Sequence, residues 1–437
     1  MIFLILGIGL ILRLISLNQS LWLDEATTAL AAKMSLGEMF TKLLPGDVHP
    51  PFYYLVVKYW TVLFGYSEIS LRIPSVIFGL ATIYIIYLIG KKLFDKKVGL
   101  MGSVLLATSG LAVYYSQEAR LYSLAAFLVS LSIYLFLRKK WIFFSIVLVL
   151  IGMTDYVSLF MIPVYFVIGW KYWKKIVLSL TPLVIVFLLW LKVFIVQITA
   201  GVSLRGSNWW NISGIPTFKN LALIPVKFMF GRISFDNKVL YFLIVTGAAV
   251  LFGFLLYKAF KAPKILWIWL VVPIILGILV SFIIPNLTYF RFLFCLTPFY
   301  LLVAFGTEKA GKLGKILFVL LIAFNILTTG CYLVNPKFQR EDWRGLVHFV
   351  EPKKNGNSIT IFPSGANMEA YRYYAPDAKI GGPKAIKAGY SQIWLLDYLG
   401  SVFDPTDTAK VNVEALGYRQ EAEYSFNGVG NVYLYKK

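Results

Sequence analysis

The sequence contains little charge, since only 14% of its 437 residues are Asp, Glu, Lys or Arg, while 59% are hydrophobic and 17% are aromatic. Its mean hydropathy of +0.74 is too high for a soluble domain. This composition is typical of a polytopic membrane protein and predicts an integral membrane location.

Cysteine and histidine are also scarce, with two residues of each type. Cys295 and Cys331 both lie in apolar runs, which excludes a disulfide framework and any cysteine-based metal motif. Neither a glycine-rich phosphate loop nor an HExxH zinc motif occurs. We therefore expect no cofactor. A divalent metal stays open on chemical grounds, but the few scattered carboxylates do not favour one.

Acidic residues are half as numerous as basic ones, 21 against 42, which gives a formal net charge of +21. The Lys and Arg residues form short clusters between apolar runs, as cytoplasmic loops do, so we expect no nucleic-acid partner. All of these clusters fall on one side of the membrane only if the short apolar run Phe52–Phe64 lies along the membrane instead of crossing it. The clusters lie at 91–97, 138–140, 171–175, 258–264 and 309–315.

With that choice the sequence predicts about eleven transmembrane helices, with juxtamembrane helices in the first outer loop, a cytoplasmic amino terminus and an external carboxyl terminus. The predicted spans are 2–17, 70–90, 98–115, 118–137, 141–153, 156–170, 176–196, 239–257, 265–285, 291–306 and 316–334. Residues 335–437 have nearly balanced charge and short strand and helix patterns. We therefore predict an all-α membrane domain, 1–334, and a small extracytoplasmic α/β domain, 335–437.

The first outer loop, Leu21–Tyr54, gathers unlike reactive residues close to the bilayer: Asp24, Glu25, Asp47 and His49. Charge in this place is costly, which indicates a function. The alternative is local: Asp24 caps the following helix, Glu25 complements the helix dipole and His49 is structural.

A second polar stretch, YYSQEARLYS at 114–123, joins two predicted spans on the same outer face and contains Glu118, Arg120 and Tyr122. Three further cations are predicted near that face: Lys192, Arg205 and Arg291. The alternatives are a helix-start acid for Glu118 and interface anchors for the cations.

These motifs carry a family resemblance. The order LDE, DVHPP, RIPS and YYSQEARLYS, within about the first 125 residues, resembles the polyprenyl-phosphate-sugar-dependent glycosyltransferases of the GT-C fold, in particular the protein O-mannosyltransferase and lipid A aminoarabinose transferase group. DVHPP is the most specific of these strings. The resemblance implies that Asp24 is the catalytic base, with Glu25 beside it. It also implies donor binding for Glu118 and Arg120, and more loosely for Arg291.

The chemistry of such a transfer fits these residue types. A sugar on a polyprenyl phosphate already has a good leaving group, so one general base suffices and cations must stabilise the departing phosphate. We therefore predict catalytic roles for Asp24 and Glu25, and substrate binding by Asp47, His49, Glu118, Arg120, Tyr122, Lys192, Arg205 and Arg291. The expected partners are a polyprenyl-phosphate sugar, membrane lipids and a protein, lipid or glycan acceptor, with inversion at the sugar. The alternative is a lipid or glycan transporter, which would tend to show internal repeats and charges near mid-bilayer.

Overall fold

The computed structural model describes residues 1–203, 205–208, 210, 214–364 and 367–437. Helices make up most of the chain as far as Val334. Their bounds are α1 (Ile2–Leu14), α2 (Leu23–Lys33), α3 (Leu36–Glu38), α4 (Phe52–Phe64), α5 (Glu68–Leu93), α6 (Lys96–Thr108), α7 (Gly110–Ser116), α8 (Tyr122–Leu137), α9 (Trp141–Gly152), α10 (Met161–Ile168), α11 (Trp173–Ser203), α12 (Phe218–Phe230), α13 (Lys238–Lys258), α14 (Lys264–Ser281), α15 (Leu296–Lys309) and α16 (Gly311–Val334).

Among the described residues, six helices are long and apolar enough to cross a membrane, or seven when the bent pair α6 and α7 is taken as one span. Five shorter apolar helices accompany them. The eleven predicted spans correspond in number to these seven long spans and four of the five shorter helices, α4 being the exception. The integral membrane class predicted from composition is confirmed.

Helix α4 does not cross the membrane. His49 precedes α4 and contacts Arg120, which follows both α5 and the bent pair α6–α7. Two spans return the chain to the side from which it started. A third crossing by α4 would therefore place His49 and Arg120 at opposite ends of the domain.

The predicted span 98–115 is one helix in the sequence pattern but two in the structure, bent by 62° between α6 and α7. Ser109 separates them, and its hydroxyl accepts from the backbone N–H of Ala112 to cap α7. Carbonyls freed by the break accept hydrogen bonds from other helices. The bonds run from Thr329 to Thr108 O (2.8 Å), from Asn325 to Leu105 O (3.1 Å) and from Arg13 to Ala107 O (3.1 Å).

Residues beyond Val334 form a five-stranded sheet of order β2-β1-β3-β5-β4. The strands β1 (Ser358–Ile361), β2 (Ile380–Gly381) and β3 (Gln392–Leu396) are parallel, whereas β4 (Arg419–Phe426) and β5 (Gly430–Lys436) form an antiparallel hairpin whose β5 pairs with β3. The accompanying helices are α17 (Trp343–Val350), α18 (Glu369–Tyr374), α19 (Gly400–Phe403) and α20 (Thr408–Ala415). The predicted fold class, a helical membrane domain with a small α/β domain, is confirmed.

Period-two alternation gives this sheet two buried faces. Ile359, Ile361 and Ile393 pack with Val413 of α20. Trp394, on the other face, joins the larger core that includes α17. The central strands β1 and β3 thus form a buried layer between helices, whereas β4 is largely exposed.

The C-terminal domain contacts the membrane domain at the end that carries the first loop. The hydroxyl of Tyr374 accepts from the backbone N–H of Leu21 (2.8 Å), and Tyr373 donates to Tyr66 O (2.5 Å). Arg344 pairs with Glu68 at 3.1 Å. These contacts place the small domain directly over the polar residues of the first loop.

Candidate active site

Asp24 lies in the first turn of α2 with its side chain 37% exposed. It does not cap the helix, because the N-cap is Trp22 and no side chain accepts there. Within the described chain, the polar partner of the Asp24 carboxylate is Arg120, at 3.7 Å. The capping alternative is therefore wrong, and Asp24 presents an accessible carboxylate beside a cation.

Arg120 follows α7 and is buried, with 5% of its side chain exposed. It donates to the hydroxyl of Tyr54 at 3.2 Å and contacts the ring nitrogens of His49 at 3.3 and 3.5 Å. Its backbone carbonyl accepts from Ser75 at 3.2 Å. Both the guanidinium and the backbone carbonyl of Arg120 are therefore held by polar contacts.

Asp47, His49 and Tyr54 support Arg120 from the other side of the loop. His49 Nδ1 lies 2.8 Å from Asp47 Oδ1, and Tyr54 donates to the other carboxylate oxygen of Asp47. A carboxylate only accepts and a guanidinium only donates, which assigns the proton to Nδ1 and leaves Nε2 as the acceptor for Arg120. Burial alone would raise the pKa of Asp47, but His49 and Arg120 outweigh it and hold that pKa well below its ordinary value.

Glu25 is fully buried and forms a two-bond ion pair with Arg72. Burial opposes its ionisation, but the Arg72 charge lowers the pKa of Glu25 below its ordinary value. The carboxylate is thus ionised and closed off. It lies beside Asp24 in the chain, as predicted, yet no surface of it faces a substrate.

Glu118 is buried against Arg340, with 3.1 Å between Oε2 and Nη1. Arg340 also lies over the ring of Tyr114, 3.8 Å from its centroid, and Arg232 lies over the same ring at 4.6 Å. Burial raises the pKa of Glu118 against the opposing effect of Arg340. Glu118 is therefore not the helix-start acid of the alternative reading, but part of a buried charge cluster.

Tyr122 and Arg291 complete the wall next to Asp24 and Arg120. The ring of Tyr122 packs on Tyr115 and Phe290, with centroids 5.3 and 5.1 Å apart, and its hydroxyl lies within range of the charges of Asp24, Arg120 and Arg291. Buried polar atoms here have no hydrogen-bond partner in the described chain: Arg120 Nε, Arg291 Nε, the Tyr115 hydroxyl and Glu118 Oε1. Unpaired buried donors are costly and indicate a polar ligand.

Comparison with known proteins gives the fold a name. Residues 48–198 match the family model described as dolichyl-phosphate-mannose-protein mannosyltransferase. The chain is similar to ArnT from Cupriavidus metallidurans bound to undecaprenyl phosphate, with a TM-score of 0.61 and 13% identity over 99% of this chain and 97% of that one. It is also similar to the Archaeoglobus fulgidus oligosaccharyltransferase AglB in complex with an inhibitory peptide and a dolichol-phosphate, with a TM-score of 0.52 and 12% identity over 99% and 74%. No curated protein sequence matches the chain. The chain has the GT-C fold.

Two predicted substrate-binding cations lie away from this cluster. Lys192 and Arg205 are exposed, and the side chain of neither makes a hydrogen bond or ion pair within the described residues. A sequence position near the outer end of the helical domain predicts the depth of a cation but not the direction in which its side chain faces. In this GT-C fold the remaining predicted residues meet around Asp24 and Arg120, with Glu25 buried behind them.

Four further residues, not predicted from the sequence, line or support the site: Tyr54, Arg232, Arg340 and Glu341. Tyr54 is the third residue after DVHPP, in the first turn of α4, so the position of α4 along the membrane surface would have indicated it. Arg232 lies just beyond Gly231, whose φ of +68° ends α12. Arg340 and Glu341 follow the last membrane helix of the GT-C fold, and no local pattern connects them to residues two hundred positions earlier.

Glu341 brings a second carboxyl group from the C-terminal domain to the neighbourhood of Asp24. It accepts from Trp343 Nε1 at 2.7 Å and from the hydroxyl of Tyr398 at 3.2 Å. Burial raises the pKa of Glu341 to about 7, against these hydrogen bonds and with a further contribution from the charge of Asp24.

Metal coordination finds little support in the side chains. Among the residues that the structure describes, no group of three or more His, Cys, Asp or Glu could hold a metal ion. Metal independence remains a prediction.

Proposed function

We propose that the protein is an integral membrane glycosyltransferase that moves a sugar from a polyprenyl-phosphate donor to an acceptor hydroxyl at the extracytoplasmic face. The observation that carries the proposal is the accessible carboxylate of Asp24, 3.7 Å from Arg120, in a cluster of cations at one end of a GT-C fold. The names of the similar structures support the donor class, because ArnT was solved with undecaprenyl phosphate and AglB with a dolichol-phosphate.

Asp24 acts as the general base in this proposal. Within the described residues its carboxylate accepts no hydrogen bond, and it is exposed enough to reach an acceptor hydroxyl, from which it takes the proton as the oxygen attacks C1 of the sugar. The phosphate departs from the opposite face of C1, and the configuration inverts. One carboxylate is sufficient, because the leaving phosphate needs charge stabilisation and no proton donor.

Arg120, Arg291 and Arg232 provide that charge stabilisation. The Nε atoms of Arg120 and Arg291 and the hydroxyl of Tyr115 are buried and have no hydrogen-bond partner among the residues that the structure describes. Arg232 donates to Tyr114 at 2.7 Å through one nitrogen, which leaves other N–H groups for a ligand. Each well-placed donor contributes about 3–4 kcal/mol to stabilising developing charge.

The distribution of charge favours a transferase over a transporter. The cluster around Asp24 lies at the end of the helical domain that contacts the C-terminal domain, since Arg340 and Tyr374 join the two. A transporter would place its binding charges near the middle of the helices. The acceptor must approach beneath the small domain, beside Glu341.

Turnover by the Asp24→Asn variant tests the assignment. Purified protein is incubated with a panel of polyprenyl-phosphate sugars, and loss of the lipid-linked sugar is followed. We expect Asp24→Asn to bind the donor and to turn over at least about a hundredfold more slowly, which is the usual contribution of a general base.

Asp236→Asn is the matched control, because Asp236 is an exposed outer-face acid paired with Lys337. This variant should keep the turnover of the parent. Equal turnover by the parent and Asp24→Asn would contradict the role of Asp24. No consumption of any donor by the parent would contradict the transferase itself.

A further inference from the structure

Glu25 has no free oxygen with which to perform chemistry. Its Oε1 accepts from Arg72 Nε at 2.8 Å and from the backbone N–H of Ala119 at 2.8 Å, and its Oε2 accepts from Arg72 Nη2 at 2.6 Å. The residue is 0% exposed. These contacts give Glu25 a structural connection to α5 and to the turn before α8.

Arg72 extends this connection to the chain that leads into α2. Its Nη1 donates to Leu17 O at 2.8 Å and to Gln19 O at 2.6 Å, and its Nη2 donates to Ser20 O at 3.0 Å. Together with the bonds to Glu25, every N–H of the guanidinium has an acceptor. One side chain of α5 therefore fixes the segment 17–20, which ends four residues before Asp24.

Because of the order of residues along the chain, the contacts of Glu25 restrict the positions of Asp24 and Arg120. Glu25 follows Asp24, and Ala119 precedes Arg120. The hydrogen bond between Glu25 and Ala119 thus joins the immediate neighbours of the two residues whose side chains lie 3.7 Å apart. Small displacements of a positioned base are expensive, since about 1 Å can cost about a hundredfold in rate.

We infer that Glu25 and Arg72 are positioning residues of the transfer reaction, which hold the Asp24 carboxylate at its working distance from Arg120. The inference rests on the proposed function and replaces the catalytic role predicted for Glu25. Arg120 keeps its own supports in Ser75, Tyr54 and His49, so loss of the pair displaces Asp24 more than it displaces Arg120.

The informative variant removes both charges together. A single substitution would leave a buried charge unpaired and could prevent folding, whereas Glu25→Gln with Arg72→Met leaves none. The Gln side chain still offers an acceptor to Ala119, while the bonds to residues 17–20 disappear. We expect kcat for donor consumption to fall about tenfold to a hundredfold, and the Kd for free polyprenyl phosphate to stay within about twofold of the parent.

Arg13→Met is the matched control. Arg13 is an equally buried arginine that bonds Ser116, Gly9 O and Ala107 O and has no contact with Asp24, Glu25 or Ala119. Its loss should lower the melting temperature and leave kcat within about twofold, measured well below the melting transition. A parallel loss of kcat in both variants, or full kcat in the double variant, would overturn the inference.

A structural measurement separates this inference from the proposed function. In a cryo-EM structure of the double variant, we expect the distance between the Asp24 carboxylate and the Arg120 guanidinium to exceed the 3.7 Å of the parent and the first turn of α2 to shift. An unchanged distance would refute the positioning role even if the parent consumed no donor. Absence of parental turnover with an altered distance would instead count against the transferase alone.

Discussion

At the scale of single residues, the carboxyl groups of the site differ in the direction in which their surroundings shift the pKa. Asp47 and Glu25 each have a nearby cation that outweighs the cost of burial, so their pKa values are lowered. For Glu118 and Glu341 the cost of burial outweighs the opposing contacts, so their pKa values are raised. Asp24 is the accessible carboxylate next to Arg120. Glu341 is a buried carboxyl group that titrates near neutral pH.

The titration of Glu341 predicts a pH dependence of stability. Its pKa rises from 4.5 in the unfolded chain to about 7 in the folded protein, so the folded state binds the proton more tightly. This contribution is complete below about pH 4.5 and is lost as the pH rises through about 7, by up to about 3 kcal/mol. Glu341→Gln keeps an acceptor for Tyr398 and should remove the decline.

The measurement is the melting temperature of parent and variant across this pH range. As the pH rises, the melting temperature of Glu341→Gln should increase relative to that of the parent. Above pH 7 the variant should be the more stable protein. Asp377→Asn is the control, because Asp377 is an exposed acid of the same domain. Parallel curves for the parent and Glu341→Gln would show that burial does not govern this carboxyl group.

The polar residues that meet around Asp24 could be predicted from sequence because each belongs to a motif that stands out locally. Asp24, His49 and Arg120 are polar residues in apolar surroundings, and their motif order resembles a known family. Arg340 could not be predicted in the same way, because its partner Glu118 lies 222 positions away and the pair leaves no periodic signal. Adjacency in sequence does not reveal that the side chain of Asp24 is exposed beside Arg120, whereas that of Glu25 is buried against Arg72.

At the scale of secondary structure, the break between α6 and α7 directs the chain towards the site. The 62° bend turns α7 so that the residues after it, including Glu118 and Arg120, reach the first loop. The hydropathy pattern predicted one straight span here, because apolar residues continue through the break. Ser109 gave the local signal, since a serine before a glycine-led helical turn is a typical cap.

Asn325 of α16 stabilises this break, which gives a prediction for the element. Its side-chain amide donates to Leu105 O at 3.1 Å and to the Thr108 hydroxyl at 3.3 Å. Asn325→Leu removes both bonds and should cost about 0.6–2 kcal/mol, the range for interhelical hydrogen bonds in membrane proteins. The melting temperature should fall, while Ile326→Leu, at a half-exposed position on the same helix, should leave it unchanged. Identical melting of the two variants would show that the break does not need this residue.

At the scale of the whole molecule, the C-terminal domain is part of the site. Arg340 precedes α17 and reaches into the membrane domain, where it donates to Glu118 and to the carbonyl of Tyr114 at 3.2 Å. Its backbone N–H donates to the side chain of Gln19 at 2.9 Å. The arrangement of the two domains is therefore determined by buried polar contacts, and the polar end of the membrane domain is complete only when the small domain is docked.

Removal of Arg340 measures this connection between the domains. Arg340→Met leaves the Glu118 carboxyl buried without its main cation, and we expect a loss of about 3–5 kcal/mol in the free energy of unfolding when that carboxyl is ionised. The loss should shrink at lower pH, because burial raises the pKa of Glu118 and the protonated form needs no partner. Adding Glu118→Gln should restore most of the stability, since no buried charge then remains.

Arg344→Met is the comparison, because the pair of Arg344 with Glu68 is at the surface of the same interface, with Arg344 39% exposed. Its loss should cost at most about 1 kcal/mol. If the Arg340 and Arg344 variants lose equal stability at high pH, the buried pair does not hold the domains together, and the weaker surface contacts would have to do so.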